Sequence, residues 1–183
     1  MIIDTERLIL RPFCENDAAD ILEYLRTPSV NCFAEMALAS LDKARLEAKK
    51  RSKDDEYYFA ICLRNSNKVI GEIFSHPDKH LSDTFSPCWM LNTNYQGKGY
   101  AYEAAYAFFD YLFSKKGARR IYAYTEDYNI PSQKICEKLN MRKEGFFLEF
   151  VSFINNPDGT PKYENTYQYA ILKKEWDKLI MTK

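Results

Sequence analysis

The sequence predicts a single-domain α/β fold spanning residues 1–183, built on a mixed sheet of mostly antiparallel strands. A length of 183 residues suits one domain with a substantial core. Pairs of strand-like runs separated by turn-forming residues indicate antiparallel hairpins. Between these hairpins, a strand, a long amphipathic helix and a further strand follow one another, which implies a right-handed crossover between two parallel strands.

The first half of the chain contains a strand, two helices and a hairpin. Alternation at 7–11 predicts a strand that stops at Pro12, and Asn16 or Asp17 is placed to cap the helix that follows. The Asn-rich segment 64–68 suits a hairpin turn. In chain order we predict a strand at 7–11, a helix from residue 16 or 17 to about 26, an irregular segment at 30–36, a helix at 41–51, and strands at 57–63 and 69–74.

The second half contains the crossover and a long hairpin. Apolar residues of the central helix recur at spacings of three and four, and small alanines come first, where the helix must lie close to the sheet. Gly117 is placed to end this helix, and 155–159 is a turn-forming segment. In chain order we predict a strand at 88–91, a helix at 99–116, a strand at 120–124, a helix at 131–139, and strands at 146–154 and 163–172.

The composition narrows the class of protein and of partner. Lys and Arg together number 26, as do Asp and Glu, so no global basic field attracts nucleic acid or an anionic membrane. No segment approaches the ~20 apolar residues that cross a bilayer, and we expect a cytoplasmic protein. The five cysteines lack a CxxC pair, and Pro77 separates His76 from His80. We therefore predict neither a disulfide framework nor a metal site.

Residues 96–101 carry the main local signal of chemistry. They follow a predicted strand and open the long helix, so their backbone N–H groups can converge on an anion at the positive end of the helix. Gly97 and Gly99 allow the backbone to approach such a ligand closely. A glycine pair at a helix start also serves as a simple connection, so this loop alone does not decide the function.

Motifs elsewhere in the chain support a specific family. The sequence resembles the GCN5-related N-acetyltransferases (GNAT), whose fingerprint Gln/Arg-x-x-Gly-x-Gly/Ala is met by Gln96, Gly99 and Ala101. Within that family it resembles the branch of the ribosomal-protein N-terminal acetyltransferases. That branch is matched by 5–12, 120–123, Asn129-x-x-Ser132, 136–139 and 173–176. It is not matched at Asn140-Met141, where the family usually has Gly-Phe, or at Asn165 and Glu164, where the branch usually has an Asp.

The resemblance implies a GNAT-like fold that binds acetyl-CoA as co-substrate. Helices are expected on both faces of the sheet, and a central parallel strand pair, ending at Leu91 and Tyr124, is expected to splay and hold the acyl-CoA. Pantetheine then runs along 90–92 as an added strand, where an amide can polarise the thioester carbonyl, and the pyrophosphate rests on 96–102. The implied cofactor-binding residues are Met90, Leu91, Asn92, Gln96, Gly97, Lys98, Gly99, Tyr100, Ala101, Tyr102, Asn129 and Ser132.

The implied reaction is direct attack of a neutral amine on the thioester. An alkyl amine with a pKa of about 10.4 is almost wholly protonated at neutral pH, whereas a peptide α-amine near about 7.7–8.0 is not, so a general base matters more for the alkyl amine. We predict Glu72 or Glu149 as that base, acting directly or through water. Each of these carboxylates also suits a solvated strand position.

Position indicates which residue serves the leaving thiolate. Many family members have a Tyr where this chain has Cys136, so we predict that Ser132, one helical turn earlier, hydrogen-bonds the sulfur or relays a proton through water. Asn129 is placed both to cap the helix at Pro131 and to contact pantetheine. No sequence motif places a histidine to activate Cys136, so this thiol is predicted to be a buried side chain and not a nucleophile.

The acceptor and the assembly stay open at this stage. The expected partner is a primary amine on a small molecule or at a protein N-terminus; ribosomal or other peptide N-termini, polyamines, aminoglycosides and amino-acid-like metabolites all fit. Segments 30–36 and 150–163 are expected to line the acceptor side, and a homodimer is compatible with the sequence. The alternative to an enzyme is a CoA-binding regulatory or interaction module of the same fold that has lost turnover.

Overall fold

The structure is a computed structural model that describes residues 1–181, so the last two residues of the predicted domain lie outside the described part. One compact unit comprises Met1–Phe74 and Trp89–Ala107; the other comprises Ser75–Cys88 and the described residues from Phe108 onward.

The strands are β1 (Ile3–Asp4), β2 (Leu8–Arg11), β3 (Tyr58–Leu63), β4 (Val69–Phe74), β5 (Thr84–Phe85), β6 (Cys88–Leu91), β7 (Arg120–Glu126), β8 (Arg142–Asn155) and β9 (Pro161–Leu172). The helices are α1 (Ala18–Leu25), α2 (Leu41–Arg51), α3 (Tyr100–Lys115), α4 (Ile130–Lys138) and α5 (Lys173–Met181).

The first unit is built on a sheet with the strand order β1-β2-β3-β4-β6. The pairs β1–β2, β2–β3 and β3–β4 are antiparallel. Apolar side chains of α1 and α2 pack with those of β3, β4 and β6 in one core. Ser40 caps α2 by accepting a hydrogen bond from the Lys43 N–H at 3.3 Å. Gly71 lets β4 approach β6 closely, because a Cβ at this position would collide with the Met90 carbonyl oxygen.

The second unit is built on a sheet with the strand order β5-β7-β9-β8. β5 runs parallel to β7, and β9 is antiparallel to both β7 and β8. Within the described residues, β7 pairs with β5 only at Arg120 and Ile121, and the rest of that edge of β7 pairs with no other strand. Trp176 of α5 packs on Phe109 and Phe113 of α3 and donates its indole N–H to Asp110 at 3.2 Å.

The structure confirms the predicted α/β class, with a mostly antiparallel mixed sheet and a parallel pair. The strands divide between two sheets, and the hydrogen-bonded parallel pair is β5–β7; the strands joined by the predicted crossover, β6 and β7, belong to different sheets. The two-residue strands β1 and β5 are too short to produce a periodic pattern. The predicted cap at Asp17 is wrong in one respect: its carboxylate accepts from Arg11 and from the Cys14 N–H and does not cap α1.

Candidate active site

Unpaired backbone donors lie in a row at the start of α3. Among the described residues, the N–H groups of 97–101 donate to no protein acceptor. Gly97 and Gly99 have φ angles of 74° and 83°, as in the backbone nests that bind anions. The positive dipole end of α3, a helix of 16 residues, lies at the same place. This arrangement can hold a pyrophosphate, which is the role predicted for 96–102.

A clamp that the sequence analysis missed holds the start of α3. Glu103 accepts hydrogen bonds from the Thr5 hydroxyl at 2.6 Å, from the Arg7 N–H at 2.8 Å and from Arg7 Nε at 2.7 Å. Arg7 also donates to the Lys98 carbonyl oxygen at 2.9 Å and lies 4.7 Å from the centre of the Tyr100 ring. These donors offset the negative charge of Glu103, which would otherwise oppose an anion at this helix end. No local motif reveals the clamp, because Arg7 and Glu103 lie 96 residues apart.

The predicted pantetheine segment lies on β6, at the edge of the first sheet. An edge strand exposes a row of backbone groups, which suits a ligand that adds as a further strand beside Met90 and Leu91. Residues 96–102 are called the anion loop below. The Gln96 side chain donates to the Leu91 carbonyl oxygen at 3.3 Å and so connects the anion loop to the end of β6. Asn92 is 3% exposed and its side chain donates to Glu23 at 2.9 Å. The Asn92 amide group is therefore engaged within the unit.

The start of α4 carries the residues predicted to serve the thiolate. Asn129 Oδ1 accepts from the Ser132 N–H at 3.4 Å, which is a capping contact, and Asn129 Nδ2 donates to Glu126 at 3.2 Å. The Ser132 side chain is half-buried, and its hydroxyl forms no hydrogen bond within the described part of the chain. Burial raises the pKa of the Cys136 thiol to about 12, so little thiolate forms at neutral pH. The Ser132 hydroxyl is thus free to contact a ligand.

Glu72 is engaged in a buried cluster. It is fully buried, forms an ion pair with Arg51 and accepts hydrogen bonds from the Tyr24 hydroxyl at 2.7 Å and the Tyr58 hydroxyl at 2.9 Å. Burial, together with the charge of Glu72, raises the pKa of both tyrosines, which therefore stay protonated and donate. These three partners surround a carboxylate that has no exposed surface. This geometry argues against Glu72 as the general base and indicates that it stabilises the first unit.

Glu149 lies on a β-bulge, with its side chain exposed. Residues 148–150 oppose Asn165 alone, because the register shifts between the pairs Phe147–Thr166 and Val151–Glu164. Glu149 has a φ of 47°, in the left-handed region. Its N–H donates to Asn165 Oδ1 at 3.0 Å, and Asn165 Nδ2 donates to Asp127 at 3.0 Å. An Asp at position 165 would face Asp127 with a second negative charge, which explains why an amide suits this chain.

The predicted site residues divide between the two units. The first unit holds Glu72, Met90, Leu91, Asn92 and the whole of 96–102, and the second holds Asn129, Ser132 and Glu149. Among residues 1–181, no group of three or more His, Cys, Asp or Glu side chains could hold a metal ion. No helix of this described part is long and apolar enough to cross a membrane.

Similarity to known proteins defines the class. A model of the acetyltransferase (GNAT) domain matches residues 7–142. The chain is 34% identical to the "Uncharacterized N-acetyltransferase YnaD" of Bacillus subtilis (strain 168), over 97% of this chain and all of that protein. The crystal structure of a GNAT-family acetyltransferase from Bacillus anthracis superposes with a TM-score of 0.83 at 30% identity, over 96% of this chain and all of that one. The chain therefore belongs to the GNAT family of N-acetyltransferases.

More distant structures share the fold with different stated acceptors. A ribosomal-protein acetyltransferase from Vibrio fischeri has a TM-score of 0.72 at 19% identity, covering 96% of this chain and 98% of its own. A spermidine N-acetyltransferase chimera from Vibrio cholerae has a TM-score of 0.74 at 20% identity, covering 94% and 99%. At these identities the likeness shows the fold alone, so the acceptor has to be argued from side chains.

Proposed function

We propose that this protein transfers an acetyl group from acetyl-CoA to a primary amine by direct attack of the amine nitrogen, with residues 1–183 acting as one cytoplasmic catalytic domain. The observation that carries the proposal is the row of unpaired N–H groups at 97–101. The pyrophosphate of CoA offers the dense negative charge that such a row accepts at a helix start. The oxygen atoms of the pyrophosphate would accept hydrogen bonds from the N–H groups that the protein leaves unpaired.

Acetyl-CoA would supply the activated acyl group as a thioester, and the protein would bind and orient it. Residues 96–102 would hold the pyrophosphate, with Arg7 and Glu103 keeping the loop in place. The edge of β6 at Met90 and Leu91 would pair with the amide groups of pantetheine. Asn92 and Asn129 stay predicted contacts, but their side chains are engaged within the protein. Their backbone N–H groups are engaged as well, donating to the Ile70 and Glu126 carbonyl oxygens at 2.8 Å and 3.0 Å. No metal ion is part of this proposal.

Ser132 and Glu149 would handle the protons. The unengaged Ser132 hydroxyl would hydrogen-bond the sulfur as negative charge develops on it, directly or through water. The exposed Glu149 carboxylate would accept a proton from the amine, directly or through water. We assign the chain to the branch of the ribosomal-protein N-terminal acetyltransferases on its motifs, but that branch name does not identify the acceptor here, and a homodimer stays a prediction.

The test of acetyl-CoA binding uses Gly99→Val. Position 99 has a φ of 83°, and a Cβ there would lie 3.3 Å from Arg7 Nη2, so a branched side chain both strains the backbone and disturbs the clamp. We expect acetyl-CoA affinity to fall about tenfold or more, as measured by isothermal titration calorimetry. The matched control is Gly159→Val: its φ of 86° imposes the same backbone strain, but no atom lies within 4 Å of its Cβ and it belongs to the hairpin turn between β8 and β9.

Two results would count against this proposal. Unchanged affinity in a folded Gly99→Val protein would remove the pyrophosphate role of the loop. Tight acetyl-CoA binding without release of CoA across a panel of alkyl amines, peptide α-amines and aminoglycosides would instead favour the CoA-binding module that lacks turnover.

A further inference from the structure

One face of the second sheet brings acidic, hydroxyl and aromatic side chains together. Directly paired residues of antiparallel strands project to the same face. Glu126 of β7 pairs with Thr166 of β9, which in turn pairs with Phe147 of β8. Tyr124 and Glu164 lie two residues along their strands from Glu126 and Thr166, so they share this face. All five residues belong to the second unit.

Glu126 is a buried carboxylate without a basic partner. It is 6% exposed. Within residues 1–181, the hydrogen bond to its side chain is the one that Asn129 Nδ2 donates at 3.2 Å. A neutral amide donor leaves the negative charge uncompensated, and a buried charge in this state is costly. A cationic ligand beside Glu126 would remove that cost.

Thr166 provides an independent indication of a ligand. It is 3% exposed, and its buried hydroxyl has no hydrogen-bond partner in the described structure. Unsatisfied buried polar groups are rare, and each requires an explanation. Because Thr166 is the cross-strand neighbour of Glu126, their side chains lie on the same face and offer two oxygen acceptors to a single nitrogen. Glu164, 5% exposed and accepting from the Tyr128 hydroxyl at 3.0 Å, adds a second carboxylate to the same face.

Three aromatic rings lie beside these polar groups. The Tyr124 and Phe150 ring centres are 5.3 Å apart, those of Phe147 and Phe150 are 5.0 Å apart, and those of Tyr124 and Phe147 are 6.3 Å apart. The bulge at 148–150 brings Phe150 into this cluster. Tyr124, Phe147 and Phe150 are 44%, 37% and 47% exposed. An exposed aromatic cluster suits an apolar group, and its ring faces also attract cations.

We propose that this face, the Glu126–Thr166 site, binds the acceptor of the transfer reaction as a cation. The amino group lies between Glu126 and Thr166, and its apolar substituent lies against Tyr124, Phe147 and Phe150. This inference rests on the acetyltransferase function proposed above and deepens it by naming the acceptor class, a primary amine carried on an apolar group. A neutral or anionic ligand would leave Glu126 uncompensated, and a polycation without an apolar group would leave the exposed apolar surface of the three rings uncovered.

The probes are 2-phenylethylamine and 2-phenylethanol, which match in shape but differ in charge at neutral pH. Each is titrated by calorimetry into the full-length protein saturated with CoA. We expect the amine to bind about tenfold or more tightly than the alcohol, because a hydrogen bond to a charged partner is stronger than a neutral one by about the free energy of a tenfold change in affinity.

Glu126→Gln should abolish this preference, and Thr166→Val should lower the affinity for the amine severalfold. The control Glu137→Gln changes an exposed carboxylate of α4 and should leave the preference intact.

Equal affinity for the two probes in the wild-type protein would overturn the proposal, as would a preference that survives in folded Glu126→Gln. If Glu126→Gln does not fold, the wild-type comparison and Thr166→Val decide the matter. Titrating acetyl-CoA into the same preparations separates the two hypotheses. If the wild-type protein does not bind acetyl-CoA, the proposed function is contradicted. If it binds acetyl-CoA but binds the amine and the alcohol equally, only the Glu126–Thr166 site is contradicted.

Discussion

The hydroxyl of Ser132 forms no hydrogen bond among the described residues and lies one turn before a buried, protonated thiol at Cys136. Ser132→Ala should therefore lower kcat by about tenfold to a hundredfold, the range for removing a hydrogen bond to a neutral or charged partner. Acetyl-CoA affinity should change little, because the interaction strengthens as the thiolate forms. Steady-state kinetics and calorimetry on the same preparation measure both quantities.

The matched control for this prediction is Ser114→Ala, which removes an exposed hydroxyl from α3. The cap of α4 does not depend on the Ser132 side chain, because Asn129 Oδ1 bonds the Ser132 backbone N–H. A loss of rate in Ser132→Ala therefore does not follow from an uncapped helix. Turnover at the wild-type rate would show that the thiolate takes its proton from solvent.

Sequence patterns predicted some of these residue environments and could not predict others. The helical spacing of Ser132 and Cys136 indicates one shared face, and the structure buries Cys136 as expected. Glu72 was predicted to be a general base or a solvated residue of its strand. Its partner Arg51 lies 21 residues away on a helix, so the ion pair has no local signal. The ion pair becomes visible only in the structure, where α2 packs against the sheet and brings Arg51 to Glu72.

The clamp at the start of α3 should make stability depend on pH. Burial of Glu103 raises the pKa of its carboxyl, but hydrogen bonds from Thr5 and Arg7 outweigh this, and the pKa lies below its usual 4.5. Because the unfolded chain then takes up the proton at higher pH than the folded one, the stabilisation is complete above about pH 4.5 and is lost as pH falls through the folded pKa. The contribution should be below about 1 kcal/mol, since Arg7 is partly exposed.

Glu103→Gln should accordingly flatten the acid side of the stability profile, measured by urea unfolding between about pH 3 and pH 7. Glu35→Gln is the control, because Glu35 is exposed and forms no hydrogen bond within the described chain. A profile that is equally steep in Glu103→Gln and in the wild-type protein would show that other carboxylates govern the acid transition.

Most elements were predictable because their signals are local. The bounds of α2, β4 and β6 coincide with those predicted from periodicity and turn residues. The bulge at 148–150 was not predictable, because a Glu in the left-handed region has no sequence signature. It depends on Asn165, which bonds the Glu149 N–H from the neighbouring strand. β8 also begins four residues earlier than predicted, at Arg142, where ion pairs with Glu144 and Glu175 accommodate its charged start.

For the whole molecule, the fold class and family were predictable, whereas the acceptor was not. The anion loop is contiguous in sequence, so a fingerprint can detect it. The proposed acceptor side chains Glu126, Phe147 and Thr166 come from three strands and become neighbours only through sheet pairing. Relatives with the same fold carry different stated acceptors. In the proposed site, selectivity therefore depends on side chains that no contiguous motif contains.

Glu149 and Glu72, the two carboxylates predicted as the general base, lie in different environments, so their Gln variants should have different effects. Glu149→Gln should lower kcat/KM for an alkyl amine by about 10²–10⁴, and less for a peptide α-amine, of which a much larger fraction is already neutral at neutral pH. Glu72→Gln should instead lower the free energy of unfolding by up to about 3–5 kcal/mol, because it leaves the buried Arg51 with Glu47 as its one carboxylate partner, at 3.1 Å. Its rate per folded molecule should be unchanged. Chemical denaturation and CoA-release kinetics with both amines test these expectations.

Comparing the rates of the two variants on the alkyl amine and on the α-amine identifies the proton acceptor. A loss confined to Glu149→Gln, and larger for the alkyl amine, means that the exposed carboxylate on the bulge removes the proton. Full activity of Glu149→Gln on the alkyl amine would contradict that role and leave Glu126, beside the bound amino group, or bulk water to accept it. A rate loss in folded Glu72→Gln would show that the Arg51–Glu72 pair opens during turnover. The buried geometry argues against this, because opening would separate two opposite charges out of contact with solvent.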